Sequence, residues 1–132
     1  NAYNFDFELN RAKKKIQNGA TVFYTQPVIS KKAITNIKKA KAELDAYILG
    51  GIMPLVSYRN AIFVHNEING IQVEQDIIDN FKDLEKEEAQ KLGIGISLEI
   101  MKEIEDYTDG FYLITPFQRT DIIVQILEIY NK

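Results

Sequence analysis

Apolar residues recur along the chain at two kinds of spacing, and the two kinds alternate. The first helix is marked by four apolar residues at helical spacing: Phe5, Leu9, Ala12 and Ile16. Gly19 follows as a stop. Residues 20–26 are a short run of apolar, β-branched and aromatic side chains ended by Pro27, which is typical of a strand buried on both faces.

The middle of the chain repeats this alternation. Ser30 is a suitable N-cap for a helix to about Asp45, and residues 47–53 form a second apolar strand ended by Pro54. The glycines in that strand indicate that something packs closely against its backbone. Ser57 is a suitable cap for a further helix, which the Asn69-Gly70 turn ends.

The last third predicts two more helices, a strand and a final helix. A short helix spans the region of Ile77 to Leu84, and a longer one extends to about Tyr107. Gly93 and Gly95 should weaken the longer helix by about 1 kcal/mol each relative to alanine. Residues 111–115 form a third strand ended by Pro116, and the final helix carries five large apolar or aromatic residues, Ile122, Ile123, Ile126, Leu127 and Tyr130.

The predicted order is α-β-α-β-α-α-α-β-α, and buried strands separated by helices indicate a parallel sheet in an α/β fold. Three strands are few for such a sheet. Whether the sheet is open or a piece of a barrel, its two edges need partners, so we expect self-association or contact with a missing half of the fold.

Composition narrows the functional classes. Sixteen basic and nineteen acidic residues give a net charge of −3, which argues against a broad nucleic-acid surface. No apolar run approaches the length of a membrane span, and the lack of cysteine excludes disulfides and thiolate metal sites. A cytoplasmic location fits this composition. Because the chain begins at Asn1 rather than Met, we expect a piece of a longer protein.

Ligands of parallel α/β folds bind where the strands end, a rule that selects residues 25–27, 51–54 and 115–119. The amide of Gln26 suits a heterocycle edge, or it is a loop glutamine bonded to backbone. Arg119 suits a carboxylate, or it is a surface arginine at a helix start. Phe81 suits a flat ligand, but its helical spacing favours ordinary core.

Other conspicuous residues give weaker indications of function. Lys13, Lys14 and Lys15 form a charge run that could meet a phosphate, although such runs are usually solvated helix faces. His65 is the only histidine, so no multi-histidine metal site is possible and no metal is expected. Nucleophile elbows and phosphate-binding glycine loops are absent from the sequence. These patterns alone describe no more than an α/β domain.

Four stretches, in order, resemble methylenetetrahydrofolate reductase. They are the lysines leading to Gly19-Ala20 and then Thr25-Gln26, the segment Gly51-Ile52-Met53-Pro54, Phe81 before a helix, and the strand from Gly110 leading to Arg119. Together they span nearly the whole chain. The sequence of residues 51–61 and 110–117 is most similar to that of the bacterial group in which the reductase follows a homocysteine S-methyltransferase domain.

The resemblance implies an FAD enzyme that uses NADH or NADPH to reduce 5,10-methylenetetrahydrofolate to 5-methyltetrahydrofolate. It implies that Gln26 touches the folate ring, Arg119 faces the glutamate tail, and Phe81 stacks on folate or nicotinamide. Lys15, and with it Lys14, would contact the FAD diphosphate, and Tyr24 would lie near the flavin.

The resemblance also implies that residues 1–132 are the carboxyl-terminal portion of a (β/α)8 barrel. The family's acidic catalytic residue and most flavin contacts would precede Asn1, so the chain alone should not turn over. Two alternatives remain. One is a non-catalytic α/β binding or assembly module on the same scaffold. The other is a different barrel enzyme, of which the fused methyltransferase is the first candidate, but that chemistry needs zinc-binding cysteines that this chain lacks.

Overall fold

A computed structural model describes residues 4–132, and its elements follow the predicted order. The elements are α1 (Phe5–Gln17), β1 (Val22–Pro27), α2 (Lys31–Glu43), β2 (Tyr47–Ile52), α3 (Tyr58–Glu67), α4 (Gln75–Asn80), α5 (Lys86–Ile104), β3 (Gly110–Leu113) and α6 (Thr120–Tyr130). Short 3-10 turns follow α5 at Glu105–Tyr107 and β3 at Pro116–Gln118.

The predicted helix boundaries are confirmed at three residues. The hydroxyl oxygens of Ser30 and Ser57 accept the backbone N–H groups of Ala33 and Asn60 at 3.2 and 3.0 Å, which satisfies one free donor at each helix start. Gly19 ends α1 with φ +103, a left-handed conformation in which a Cβ would be strained.

The fold is α/β, with three parallel strands in the order β1-β2-β3 and an open sheet. Val22 pairs with Tyr47, and Leu49 pairs with Gly110. Both crossovers step in the same direction along the sheet, and because such crossovers are right-handed, their helices lie on the same face. This is the arrangement expected for part of a (β/α)8 barrel.

Two apolar cores hold the elements together. The first core packs the sheet against α2, α5 and α6 through isoleucines that include Ile37, Ile52, Ile104 and Ile126. The second core packs α3, α4 and the start of α5 against the segment that follows β2, around Leu55, Val64, Phe81 and Ala89. The excursion between β2 and α5 therefore builds a cap of its own beyond the carboxyl end of the sheet.

The prediction that residues 20–26 form a strand buried on both faces is wrong. In β1 the side chains alternate between exposed and half-buried, and Tyr24 is 67% exposed. The reason is that the helices cover only the face to which Ile48 and Ile52 point. On the opposite face, which we call the open face, no element within residues 4–132 covers Tyr24 or Tyr47.

Candidate functional site

A polar arrangement crosses all three strands at their carboxyl ends. The hydroxyl of Thr25 accepts the backbone N–H of Gly51 at 2.9 Å and donates to the carbonyl of Gln26 at 2.8 Å. From β3, the hydroxyl of Tyr112 donates to the carbonyl of Thr25. A Cβ at Gly51 would lie 2.6 Å from that hydroxyl oxygen, so the glycine leaves the path open. The predicted close packing against the glycines of β2 is confirmed.

Burial of Tyr112 also changes its chemistry. Desolvation raises the pKa of its phenol, since the charged form loses solvation. Its ring meets the ring of Tyr24 edge to face, with centroids 5.4 Å apart. The phenol is therefore held neutral at ordinary pH, as a hydrogen-bond donor to β1.

The register of β1 shifts between Tyr24 and Pro27, and this irregularity places Gln26. Within it, the hydroxyl of Thr25 accepts the N–H of Gly51 that a carbonyl would accept in a regular ladder. Bulges commonly redirect a side chain next to a functional site. The amide nitrogen of Gln26 donates to the carbonyl of Asn69 at 3.2 Å, in the turn after α3.

Three of the predicted site residues line one cleft of about 500 Å³ between α1, β1 and α2: Lys15, Tyr24 and Gln26. Lys14 does not line it, although it is one residue away. The cleft follows the outer edge of β1, because consecutive residues from Phe23 to Val28 all contribute to its wall.

The backbones of Lys15 and Gln26, which supply the cation and the amide of the cleft, lie near opposite ends of β1. The carbonyl of Lys15 accepts the N–H of Ala20, which places this lysine near the amino end of β1. Gln26 lies at the carboxyl end. Five residue steps of a strand span about 17 Å, so a single ligand that contacts both residues must extend along the cleft.

Arg119 lies between the turn after β3 and the start of α6, and its own chain already binds it. Its Nε and Nη2 atoms donate to the two carboxylate oxygens of Asp121 at 3.0 and 2.9 Å. This pair raises the pKa of Arg119 and lowers that of Asp121. With its amide oriented to satisfy both groups, Gln90 accepts from Nη1 and Nη2 at 3.1 and 3.0 Å. The guanidinium is therefore held in one orientation.

The loop that carries Arg119 contains two residues in the left-handed region. Phe117 has φ +49 and Gln118 has φ +60, and neither is glycine. Such conformations are uncommon and store strain, which collects at functional sites. Phe117 also places its ring in solvent. Nothing in the sequence of this loop apart from Pro116 indicates these conformations.

Phe81 and His65 have structural contacts. Phe81 is 1% exposed and lies in the second core, the alternative that its helical spacing favoured. The Nδ1 atom of His65 accepts the backbone N–H of Val73 at 3.1 Å, and so ties α3 to the segment before α4.

Sequence reasoning missed several residues of this region. Tyr112 is a polar position inside an apolar run, and strand pairing places it beside Gly51, a signal that a register prediction would have found. Tyr58, the first residue of α3, is a partly exposed aromatic side chain just past the end of β2. The sequence predicted only a turn at Asn69 and Gly70. Their contact with Gln26 joins residues 43 positions apart, which local patterns do not reveal.

Neither a metal site nor a membrane span is found in the described part of the chain. Among residues 4–132, no three histidine or acidic side chains gather in a way that could hold a metal ion. Over the same residues, no helix is both long and apolar enough to cross a membrane.

A parallel sheet with helices on one face and polar groups gathered where its strands end defines an α/β protein, in an arrangement consistent with part of a barrel. The family model for methylenetetrahydrofolate reductase matches residues 1–131, and the chain belongs to that family. Among curated proteins, none matches the chain. The resemblance drawn from the four stretches is confirmed. The family supports an oxidoreductase function of the methylenetetrahydrofolate reductase type, with a folate substrate and a generally flavin-dependent chemistry.

Proposed function

We propose that this chain supplies the carboxyl-terminal part of a (β/α)8 barrel that reduces 5,10-methylenetetrahydrofolate to 5-methyltetrahydrofolate. The electrons come from NADH or NADPH by way of FAD. The observation that carries the proposal is that an amide, an aromatic ring and a cation, in Gln26, Tyr24 and Lys15, line one cleft in a chain of this family. A cytoplasmic location and the link to a methyltransferase domain stay predictions.

Flavin, when bound, accepts and passes on hydride, and the protein has to hold and orient it. The residues present fit such a group. Tyr24 offers an exposed ring beside Gln26, and the ammonium of Lys15 has no ion-pair partner among residues 4–132.

Gln26 and Arg119 divide the recognition of folate between the two outer strands. Gln26 presents an amide to the ring at the end of β1. Arg119, beyond β3, offers the charge and planar geometry that suit a carboxylate of the glutamate tail. Since Asp121 already occupies the guanidinium, the tail exchanges with this carboxylate or shares the fork with it. The Asp121 carboxylate is the more exposed partner, at 54%, so it can leave the pair at little cost while Gln90 still holds the guanidinium.

The stacking role proposed for Phe81 requires its ring to leave the second core, in which it is 1% exposed. Tyr58, at 36% exposure near the end of β2, already presents a ring at this edge. Comparing Phe81→Leu with Tyr58→Leu separates the two residues. If Phe81 stacks, its substitution weakens folate binding more than it weakens folding, whereas a core role lowers the free energy of unfolding first.

The remaining strands of the barrel would complete the site. We propose that the acidic catalytic residue lies on them, and that they cover the open face and the free edge of β1. The 132-residue chain by itself is then expected to show no steady oxidation of NADH when FAD is added. Steady oxidation by the isolated chain would show that residues 1–132 contain the whole site.

The direct test of the reductase uses the natural polypeptide that carries this chain. Its visible absorbance is recorded after desalting, NADH or NADPH is added without oxygen, and methylenetetrahydrofolate is added last. We expect a flavin band that bleaches and then returns. A protein that shows no flavin band even after FAD is supplied would favour the non-catalytic module instead.

Lys14 and Lys15 form a matched pair for testing the flavin contact, because only Lys15 lines the cleft. Changing each lysine to methionine removes the charge and keeps most of the side-chain volume. We expect Lys15→Met to weaken FAD binding about tenfold, the order of a charge-assisted hydrogen bond, and Lys14→Met to change it little. Equal effects would show that the charge of the run matters and not the position in the cleft.

A further inference from the structure

The segment from Ile68 to Glu74 contacts the one side chain that is proposed to read the folate ring. The carbonyl of Asn69 accepts from the amide nitrogen of Gln26 at 3.2 Å. Gly70 lies against the same amide with φ +86, and a Cβ there would be 2.6 Å from the Oε1 atom of Gln26. A side chain at position 70 would therefore both strain the turn and displace the amide.

This segment is fixed to the rest of the protein at several points. Ile71 and Val73 are buried in the second core. The N–H of Val73 donates to His65, and the carboxylate of Glu74 accepts the N–H of Lys31 at the start of α2, at 2.6 Å. The carbonyl of Asn69 is therefore held at a defined place beside the end of β1.

The chemistry of that contact fixes which way the amide faces. A carbonyl oxygen only accepts, so it selects the orientation in which the amide nitrogen of Gln26 points toward Asn69. Among residues 4–132, no donor approaches the Oε1 atom of Gln26. The amide thus keeps its carbonyl oxygen as an acceptor for an external N–H group.

Resting on the proposed function, we propose that Asn69 and Gly70 are positioning residues for Gln26. They set its amide to read the N–H donors of a reduced pterin, such as the 2-amino and ring N–H groups. Without the contact, the amide can rotate and present either its oxygen or its nitrogen. The selectivity for a donor edge is then lost together with part of the affinity.

The test is a double-substitution cycle in the natural polypeptide that carries this chain, with 5-methyltetrahydrofolate and its analogue lacking the 2-amino group as probes. Dissociation constants are measured for the wild type, Gln26→Ala, Gly70→Ala and the double variant. Gly19→Ala is the matched control, because Gly19 also has a left-handed φ but no atom within 4 Å of a Cβ. The analogue provides a readout that a loss of folding alone does not change.

We expect Gly70→Ala and Gln26→Ala each to weaken binding of 5-methyltetrahydrofolate about tenfold, the order of one hydrogen bond. The double variant should bind no worse than Gln26→Ala, and both single variants should lose the preference over the analogue. Gly19→Ala should keep both affinity and preference. If Gly70→Ala does not fold, Gly70→Asn replaces it, because asparagine tolerates a left-handed φ and its side chain still meets Gln26.

The outcomes separate the two proposals. Should Gln26→Ala bind as tightly as the wild type, the folate role of Gln26 is overturned and the positioning role fails with it. Should Gln26→Ala bind weakly while the Gly70 variants keep affinity and preference, only the positioning role is overturned. Additive losses in the double variant also overturn it, because Gly70 would then act independently of Gln26.

Discussion

The covered and open surfaces of the same elements differ sharply in this protein. In β2, Ile48 lies on the helix-covered face at 1% exposure, while its neighbour Tyr47 lies on the open face at 62%. In α5, Gly93 faces the backbone of Leu55, while Gly95 faces open space. One side of each element is fixed by packing within the chain, and the other side has room for something further.

The difference teaches that an apolar residue here does not always belong to the core of this chain. Val22 and the rings of Tyr24 and Tyr47 offer apolar surface, yet they are exposed together on one sheet face. Exposed apolar patches usually mark a surface that meets a partner. In a barrel, that surface is the interior, and this interpretation leads to tests that compare one side with the other.

The largest effect is expected at Gly93. A Cβ there would overlap the carbonyl oxygen of Leu55, a backbone atom that cannot turn aside. Gly93→Ala should lower the free energy of unfolding by about 4 kcal/mol or more, measured by urea denaturation. Gly95→Ala, the control in the same helix, should raise it by about 0.5–1 kcal/mol, because alanine is the better helix former. A Gly93→Ala variant as stable as the wild type would mean that α5 and Leu55 do not pack.

The next effect compares neighbouring residues on opposite faces of β2. Ile48→Ala should cost about 2–5 kcal/mol, since it leaves a cavity between the sheet and the helices that cover it. Tyr47→Ala should change stability by about 0.5 kcal/mol or less in the isolated chain. Thermal or urea unfolding of both variants measures the contrast. Similar costs at the two positions would show that the open face is covered in solution, for instance by a second copy of the chain.

The smallest effect depends on pH and concerns the amino end of the sheet. The carboxylate of Asp109 accepts the N–H of Ile48 at 2.8 Å and pairs with Lys41 at 3.1 Å, and these contacts lower its pKa from 3.8. A lowered pKa in the folded state means stability that is present above pH 3.8 and is lost as pH falls through the folded value.

The stability difference between the wild type and Asp109→Ala should therefore shrink as pH falls from about 6 to about 2.5. Urea unfolding across this range measures it, and Lys41→Met serves as a control that keeps the bond to Ile48. A difference that stays constant with pH would mean that the carboxylate charge does not contribute, and that Asp109 acts only through its shape.

Local patterns predicted the elements well, and contacts between distant residues escaped them. Capping at Ser30 and Ser57 and the stop at Gly19 depend on neighbours in sequence, so they were predicted. Gly93 was predicted only to weaken its helix, because its contact with Leu55 depends on how two distant segments pack. The burial of β1 was misjudged because an apolar run looks the same whether its cover is in the chain or outside it.

In the candidate site, too, the local features were predicted and the contacts between distant residues were not. Strand ends and resemblance directed attention to Gln26 and Arg119, and Gln26 does lie at the carboxyl end of β1. Their partners were not predictable. Asp121 is two residues from Arg119, but whether they meet depends on the backbone of Arg119 itself, which is not helical (φ −83, ψ 72), and Asn69 reaches Gln26 only through the excursion after β2.

Hydrogen exchange at the outer edge of β1 tests most directly whether the open sheet is part of a barrel. The carbonyl of Thr21 accepts from Tyr47, and backbone groups alternate along a strand, so the N–H groups of Val22 and Tyr24 face the free edge. Exchange of these amides is compared between the 132-residue chain and the natural polypeptide that carries it. We predict fast exchange in the chain alone and strong protection in the longer protein. Equally fast exchange in both would contradict the barrel.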